Sequence, residues 1–236
     1  MTNSPLESQV LLRLGPIPIA AQVVSTWAIM LLLALACWRL SRRLSIERPG
    51  RLQTLAEWFL ELAGAEIGAT IRIDPKPYLP LLTTLFLFIL STNLSSLVPG
   101  NEPPTAHIET DAALAGIVFA ATLYFGIRER GLGGYLRSFA QPTWIMVPLN
   151  VIETLTRTFS LMVRLFGNVM SGVFVIGIVA SLAGLLVPIP FMALEVLTGI
   201  VQAYIFTVLA TVFIGAAVSD DQSEGGDQNT SPKENV

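Results

Sequence analysis

Five stretches of this chain are long and apolar enough to cross a lipid bilayer, which narrows its possible folds more than any other feature. A spanning helix needs about 20 mostly apolar residues to bridge a hydrocarbon core of about 30 Å. Candidate spans cover residues 17–40, 78–98, 111–127, 143–186 and 191–218. The basic cluster Arg39, Arg42 and Arg43 follows the first span rather than preceding it. A cleaved signal peptide has the opposite order, so this run reads as a retained helix. Composition agrees: 53% of the 236 residues are hydrophobic and 13% charged, against about 25% charged in an average soluble domain. The mean hydropathy is +0.65. The fold class expected is an all-α membrane protein.

Residues 51–73 read differently. On a 3.6-residue helix Leu52, Leu55, Ala56, Phe59, Leu62 and Ala63 share one broad face, and Gln53, Glu57, Glu61, Gly64 and Gly68 lie opposite. This is an amphipathic helix suited to lying at the interface. Glu66 falls on the apolar face; fraying of the helix is the plainer reading, a partner contact the other. Pro99-Gly100 and Pro103-Pro104 mark the loop between the second and third spans, residues 128–141 form the next loop, and Val187-Pro188-Ile189-Pro190 separates the last two helices. Residues 17–218 then form a single membrane domain. Residues 219–236 are polar, acidic and Gly-rich, as expected of a disordered tail.

Basic residues orient the chain. Arg39, Arg42, Arg43, Arg48, Arg51, Arg72 and Lys76 follow the first span, and Arg128, Arg130 and Arg137 follow the third. The N-terminal segment 1–16 has only Arg13, and the loop 99–110 has none. Five crossings therefore predict an outer N-terminus and a cytoplasmic C-terminus, with the amphipathic helix on the cytoplasmic face.

Several function classes are poorly supported. A net charge of −3 provides no basic face for nucleic acid. The single cysteine, Cys37, excludes an intrachain disulfide and a cysteine-built metal site. The only histidine, His107, sits in the Pro-rich loop, so a histidine metal centre or catalytic triad is not expected. GxxxxGK[ST] is absent, and Gly131-Leu132-Gly133-Gly134 is too short to replace it. No cofactor, metal or direct nucleotide binding is predicted, nor enzymatic activity for the chain alone.

The informative region is residues 149–172, LNVIETLTRTFSLMVRLFGNVMSG. At about 100° per residue, Glu153, Arg157, Ser160, Arg164, Asn168 and Ser171 fall within one stripe about 80° wide. Glu153 and Arg157 are spaced for a structural ion pair. Arg164 has no acid three or four positions away. A mid-membrane arginine costs about 2.5–3.5 kcal/mol on insertion scales, so it calls for a polar surrounding or a function. It stays protonated, and so offers a fixed cation to a carboxylate without readily relaying a proton. The bland alternative is a structural arginine that snorkels or pairs with another helix. In the last helix Glu195, Thr198 and Gln202 share a face, with Gly199 allowing close helix approach. The proline turn makes the two helices antiparallel neighbours, with Glu195 nearer the turn and the outer side.

The run 160–168, SLMVRLFGN, resembles the signature of subunit a of F-type ATP synthases. FLFILSTNLSSLVPG over 86–100 resembles that family's third helix, and QAYIF over 202–206 its C-terminal segment. The basic Arg157 with nearby Glu153 matches the pattern ahead of the arginine. The resemblance covers most of residues 17–218. It implies a stator ion-path subunit in a bacterial cytoplasmic membrane, with a c-ring and b-type peripheral stalk subunits as partners. Arg164 would face the ring carboxylates between two offset half-channels. Glu195, with Ser171 and Thr198, would serve the outer half-channel, and Asn168 and Gln202 would hold Arg164 by hydrogen bonds. The last two helices would form a long tilted hairpin. Relatives often carry Glu or His where this chain has Val173, which leaves Glu195 as the one ionisable group of that pair. Proton is the expected ion, and sodium the alternative. A stand-alone transporter with an anionic substrate and a structural membrane scaffold remain the competing classes.

Overall fold

The computed structural model describes residues 10–14, 17–42, 44, 50–71, 74–97, 103–139, 146–184 and 187–218. The expected tail 219–236, the start of the N-terminal segment and the first part of the 99–110 loop lie outside the described residues. Among the described residues there are six α-helices and one small hairpin, in which β1 (Val10–Leu14) pairs antiparallel with β2 (Ile17–Ala20).

The first helix is expected from residue 17, but α1 spans Ala21–Ser41. Pro18 explains the difference. It disfavours helical geometry at Ile17, and its ring and missing N–H are tolerated in an extended edge strand. The helix exposes Trp27, Leu31, Leu32 and Leu35, a surface suited to lipid.

Next, α2 spans Arg51–Ile71 and runs unbroken through Glu66, so that position is not frayed. Its packing distinguishes its faces. Leu52, Leu55 and Leu62 point outward, whereas Gln53, Ile67 and Ile71 are buried. Gly64 and Gly68, expected on the outward face, lie against the following segment: a Cβ at Gly64 would stand 3.1 Å from Leu79 Cδ1, and one at Gly68 3.6 Å from Pro75 Cγ. Small residues let the chain turn back tightly onto α2, and the large leucines are left to face lipid.

Helix α3 (Leu79–Leu94) runs into a 3-10 turn at Ser95–Leu97, and a second 3-10 turn at Pro104–Ala106 leads into α4 (Ile108–Phe139). A loop is expected from Arg128, yet the helix continues, bent at Gly131 where φ is 72°. Such a φ is costly for a residue with a Cβ. Beyond the bend Tyr135 returns onto Gly126, where a Cβ would come within 2.6 Å of its ring.

Helix α5 covers Met146–Ala183 and α6 covers Pro188–Val218. The last helix is expected only from residue 191, but Pro188 and Pro190 fall in its first turn. Their missing N–H groups would have no intrahelical partner there. Gly184, with φ 76°, ends α5. At about 1.5 Å per residue the 38 residues of α5 extend about 57 Å, well beyond the thickness of a hydrocarbon core.

Five helices, α1, α3, α4, α5 and α6, are long and apolar enough to cross a membrane, and α2 is not among them. The chain is a multi-pass, all-α membrane protein. Its core is built around α6, whose Gly199, Ala203, Phe206, Ala210 and Ile214 form one buried stripe. Leu82, Leu85 and Ile89 of α3, Leu114 and Val118 of α4 and Leu161 and Leu165 of α5 complete it. The 3-10 turn at Pro104–Ala106 and the start of α4 sit against the later part of α5, from Phe166 to Ser181, so they share the end of the bundle that holds the α5–α6 turn. Ile71 of α2 lies against Gly215 of α6, at the opposite end.

Candidate functional site

The packing of α5 decides what becomes of its polar stripe. Leu161, Leu165 and Val169 are the buried residues of this helix, at successive i+4 positions. On a helical wheel they centre about 100° away from the stripe that carries Arg164. The stripe therefore flanks the packed face instead of entering it. Arg164 is exposed and makes no hydrogen bond or ion pair among the described residues. Glu153, Arg157, Ser160 and Arg164 line one open groove of about 540 Å³, with Leu209 and Phe213 of α6 on its far wall.

Arg157 is held on two sides. Its Nη2 donates to Glu153 Oε1 in an i, i+4 ion pair, and its guanidinium lies 5.4 Å from the centroid of the Phe213 ring. A cation over a ring face gains about 0.5–1 kcal/mol when exposed. Arg157 thus has partners within the chain, and Arg164 has none among the described residues.

The helical partner of the stripe supplies a different kind of site. Glu195 of α6 is half-buried and lies over Gly172 of α5, where a Cβ would stand 2.8 Å from its Oε1. Gly172 makes the room in which this carboxylate rests. Thr198 Oγ1 donates to the Glu195 carbonyl at 3.0 Å, and Ser171 Oγ donates to the Asn168 carbonyl at 2.9 Å. Both hydroxyls keep lone pairs to offer. One turn further along α6, Asn93 Nδ2 donates to the Gly199 carbonyl at 2.9 Å, and Thr105 Oγ1 donates to Asn93 Oδ1 at 3.1 Å. This buried chain of hydrogen bonds ties α3, α6 and the 3-10 turn together beside Glu195.

Neither Asn168 nor Gln202 forms a hydrogen bond with Arg164 among the described residues. Gln202 is buried and its Nε2 has no partner. Glu66 has a clear role, since its Oε1 accepts a hydrogen bond from Tyr204 Oη of α6 at 3.0 Å. The contact expected of an outside partner is made within the chain. Val173 lines a cavity with His107 and Glu109 from the other side.

Sequence reasoning missed Asn93, Thr105, Gly172 and Asp111. The last is fully buried with both carboxylate oxygens unpartnered. Its signal was readable, because Asp111, Leu114, Ala115, Val118 and Thr122 recur at the spacing of one helix face. No group of three or more His, Cys, Asp or Glu that could hold a metal ion occurs among the described residues.

Comparison with known proteins shows the family. A family model described as ATP synthase A chain matches residues 23–215. The chain belongs to the ATP synthase A chain family. It is 60% identical over 218 residues to ATP synthase subunit a 2 of Bradyrhizobium sp. (strain BTAi1 / ATCC BAA-1182), covering 92% of this chain and 97% of the relative. It is 47% identical over 209 residues to ATP synthase subunit a 1 of Chlorobaculum parvum, covering 88% of this chain and 92% of that one. ATP synthase subunit a of Albidiferax ferrireducens is 46% identical over 204 residues, 86% of this chain and 88% of the relative. The ATP synthase A chain match takes in α2 to α5 whole, nearly all of α1 and α6, and every candidate residue above.

Proposed function

We propose that this chain is the stator subunit of a rotary F-type ATP synthase, and that it carries a monovalent cation between two offset half-channels past Arg164. The observation that carries the reading is an exposed arginine, in a helix long and apolar enough to span a membrane, with no partner among the described residues. Insertion of such a cation is costly unless something outside the chain meets it. The chemistry that meets it best is a carboxylate presented by another subunit, and a ring of c subunits turning against α5 supplies one after another.

The mechanism follows from the fixed charge. Arg164 attracts an ionised ring carboxylate and releases it when the ring moves on and the carboxylate takes up its cation. Because the guanidinium does not lose its proton, it also bars direct passage between the two access paths. Glu195 exchanges the cation on the outer path, with Ser171 and Thr198 as nearby hydroxyls. Asn168 and Gln202 would turn toward Arg164 when the ring is seated. The groove from Glu153 to Arg164 forms the inner path, with Glu153–Arg157 holding its wall. The N-terminus faces outward and the C-terminus the cytoplasm, so α2 lies on the cytoplasmic face with b-type stalk subunits attached nearby. ATP chemistry resides on other subunits, and the assembly sits in a bacterial cytoplasmic membrane.

Proton is the transported ion in this reading. Sodium is the competing cation, because carboxylates, hydroxyls and amides can bind either. ATP synthesis that rises with sodium at constant pH would decide for sodium. The test of the function itself is Arg164→Ala in the assembled complex. Coupled ATP synthesis is expected to vanish while subunit content stays normal; retained coupling would sink the reading. Anion uptake by the purified chain alone would favour a stand-alone transporter. Full activity with both Arg164 and Glu195 conservatively replaced would favour a scaffold.

A further inference from the structure

We infer that Asp111 is a second cation-exchanging carboxylate on the access path at the α5–α6 turn end, reached through the cavity that His107 and Glu109 share with Val173. The inference rests on the reading of this chain as the ion-path subunit.

Burial is the first observation. Asp111 has 0% relative exposure, and neither carboxylate oxygen has a hydrogen-bond partner among the described residues. An isolated ionised carboxylate cannot be left in an apolar interior, where it would cost several kcal/mol or more. It must therefore hold a proton or another small cation that comes from outside the chain. A structural aspartate normally answers this problem with backbone N–H groups or an arginine, and Asp111 has neither.

Position is the second. Asp111 begins the buried stripe of α4, followed by Leu114, Ala115 and Val118, so its side chain starts from the packed face of the helix and not from the lipid face. His107, one turn earlier, and Glu109, two residues earlier, stand on the wall of a cavity of about 510 Å³ that Asp111 itself does not line, and whose other wall includes Phe166, Met170 and Val173 of α5. Thr105, in the 3-10 turn just ahead, joins the buried Asn93 that bonds the Gly199 carbonyl, one turn from Glu195. Polar groups thus run from the cavity mouth, past the start of α4, to the neighbourhood of Glu195.

The wall that α5 gives this cavity, Val173 included, carries no ionisable side chain. Asp111 supplies a carboxylate to the same end of the bundle from a different helix. It would take a cation from the His107/Glu109 cavity and pass it toward Glu195, and the reverse when the ring runs the other way. An ionisable residue inside a membrane bundle is by default part of such a path.

The experiment uses the assembled complex in membrane vesicles with Asp111→Asn, Asp111→Leu and Asp111→Glu. ATP synthesis driven by a cation gradient and ATP-driven cation uptake are read, each normalised to the amount of complex. Asn and Leu are expected to lower both by about tenfold or more, as for loss of a proton-transferring group, and Glu to restore most of the flux. Flux within about twofold of the parent in Asn or Leu overturns the inference, because a merely packed acid tolerates such replacements. Should both variants fail to assemble, the unmodified complex decides. Asp111 is expected to react with a membrane-soluble carbodiimide, detected by mass spectrometry of its peptide. A ring carboxylate that labels while Asp111 does not, at any pH tested, overturns it. Arg164→Ala separates the two failures. If that change abolishes coupling while the Asp111 variants keep it, only the role of Asp111 is lost.

Discussion

The two polar regions of this bundle are built on opposite plans. Along the first half of α5, Glu153, Arg157, Ser160 and Arg164 line an open groove, and their charges are exposed. Near the α5–α6 turn, Asn93, Thr105 and Asp111 are buried, and Glu195 is half-buried over Gly172. The open region keeps a guanidinium without a partner. The closed region keeps a carboxylate without one. In the proposed function the exposed charge is met by a docking subunit, and the buried one by a small cation that reaches it. The difference fits one face turned to a neighbouring subunit and one interior that a cation must enter.

The largest expected effect comes from the open region. Arg164→Lys keeps the charge but changes its shape, and coupled synthesis should fall by more than about a hundredfold, as when a donor aimed at a developing charge is lost. Assembly should be normal, since Arg164 makes no hydrogen bond or ion pair among the described residues; loss of the complex from the membrane would show that Arg164 supports the fold. In the closed region Glu195→Gln should lower ion flux by about tenfold or more, read as gradient-driven ATP synthesis in vesicles. Normal flux would remove Glu195 from the path.

Gly172→Ala tests how closely the carboxylate must be held. The added Cβ would meet the flexible end of Glu195, not backbone. Assembly should survive while flux falls several-fold through displacement of the carboxylate. A change in thermal stability with unchanged flux would show that this contact is only packing. Asn93→Ala breaks the buried link between Gly199 and Thr105 and should cost about 1–3 kcal/mol, visible as a lower unfolding temperature of the complex. The smallest effect is expected from Tyr204→Phe, which removes the hydrogen bond to the exposed Glu66 at about 0.5–1.5 kcal/mol or less, with flux unchanged. A large loss of flux there would move α2 from support to function.

The polar stripe was readable because a helix places residues three and four apart on one face, and α5 is a helix through its full described length. The Glu153–Arg157 pair needed only that local geometry. The hydrogen bonds expected from Asn168 and Gln202 to Arg164 are not among those of the described residues, for a reason outside local geometry: Gln202 lies on the buried stripe of α6, while Arg164 stands on the flank of α5. Helix ends failed where proline and glycine acted on one neighbour at a time. Pro18 pushed the start of α1 back to Ala21, Pro188 was accepted into the first turn of α6, and Gly131 bent α4 without ending it.

The amino-acid sequence alone determined how many helices can cross a membrane, which residues share a face of α5, and the family to which the chain belongs. Those properties depend on apolar length, helical period and short motifs, all carried by neighbours along the chain. Only the tertiary structure decided which faces were covered. It sent Leu52, Leu55 and Leu62 outward and Gly64 inward, joined Glu66 to Tyr204 across 138 positions, seated Glu195 on Gly172 and buried Asp111 without a partner. Burial is the property of several helices at once, so no single segment could carry it.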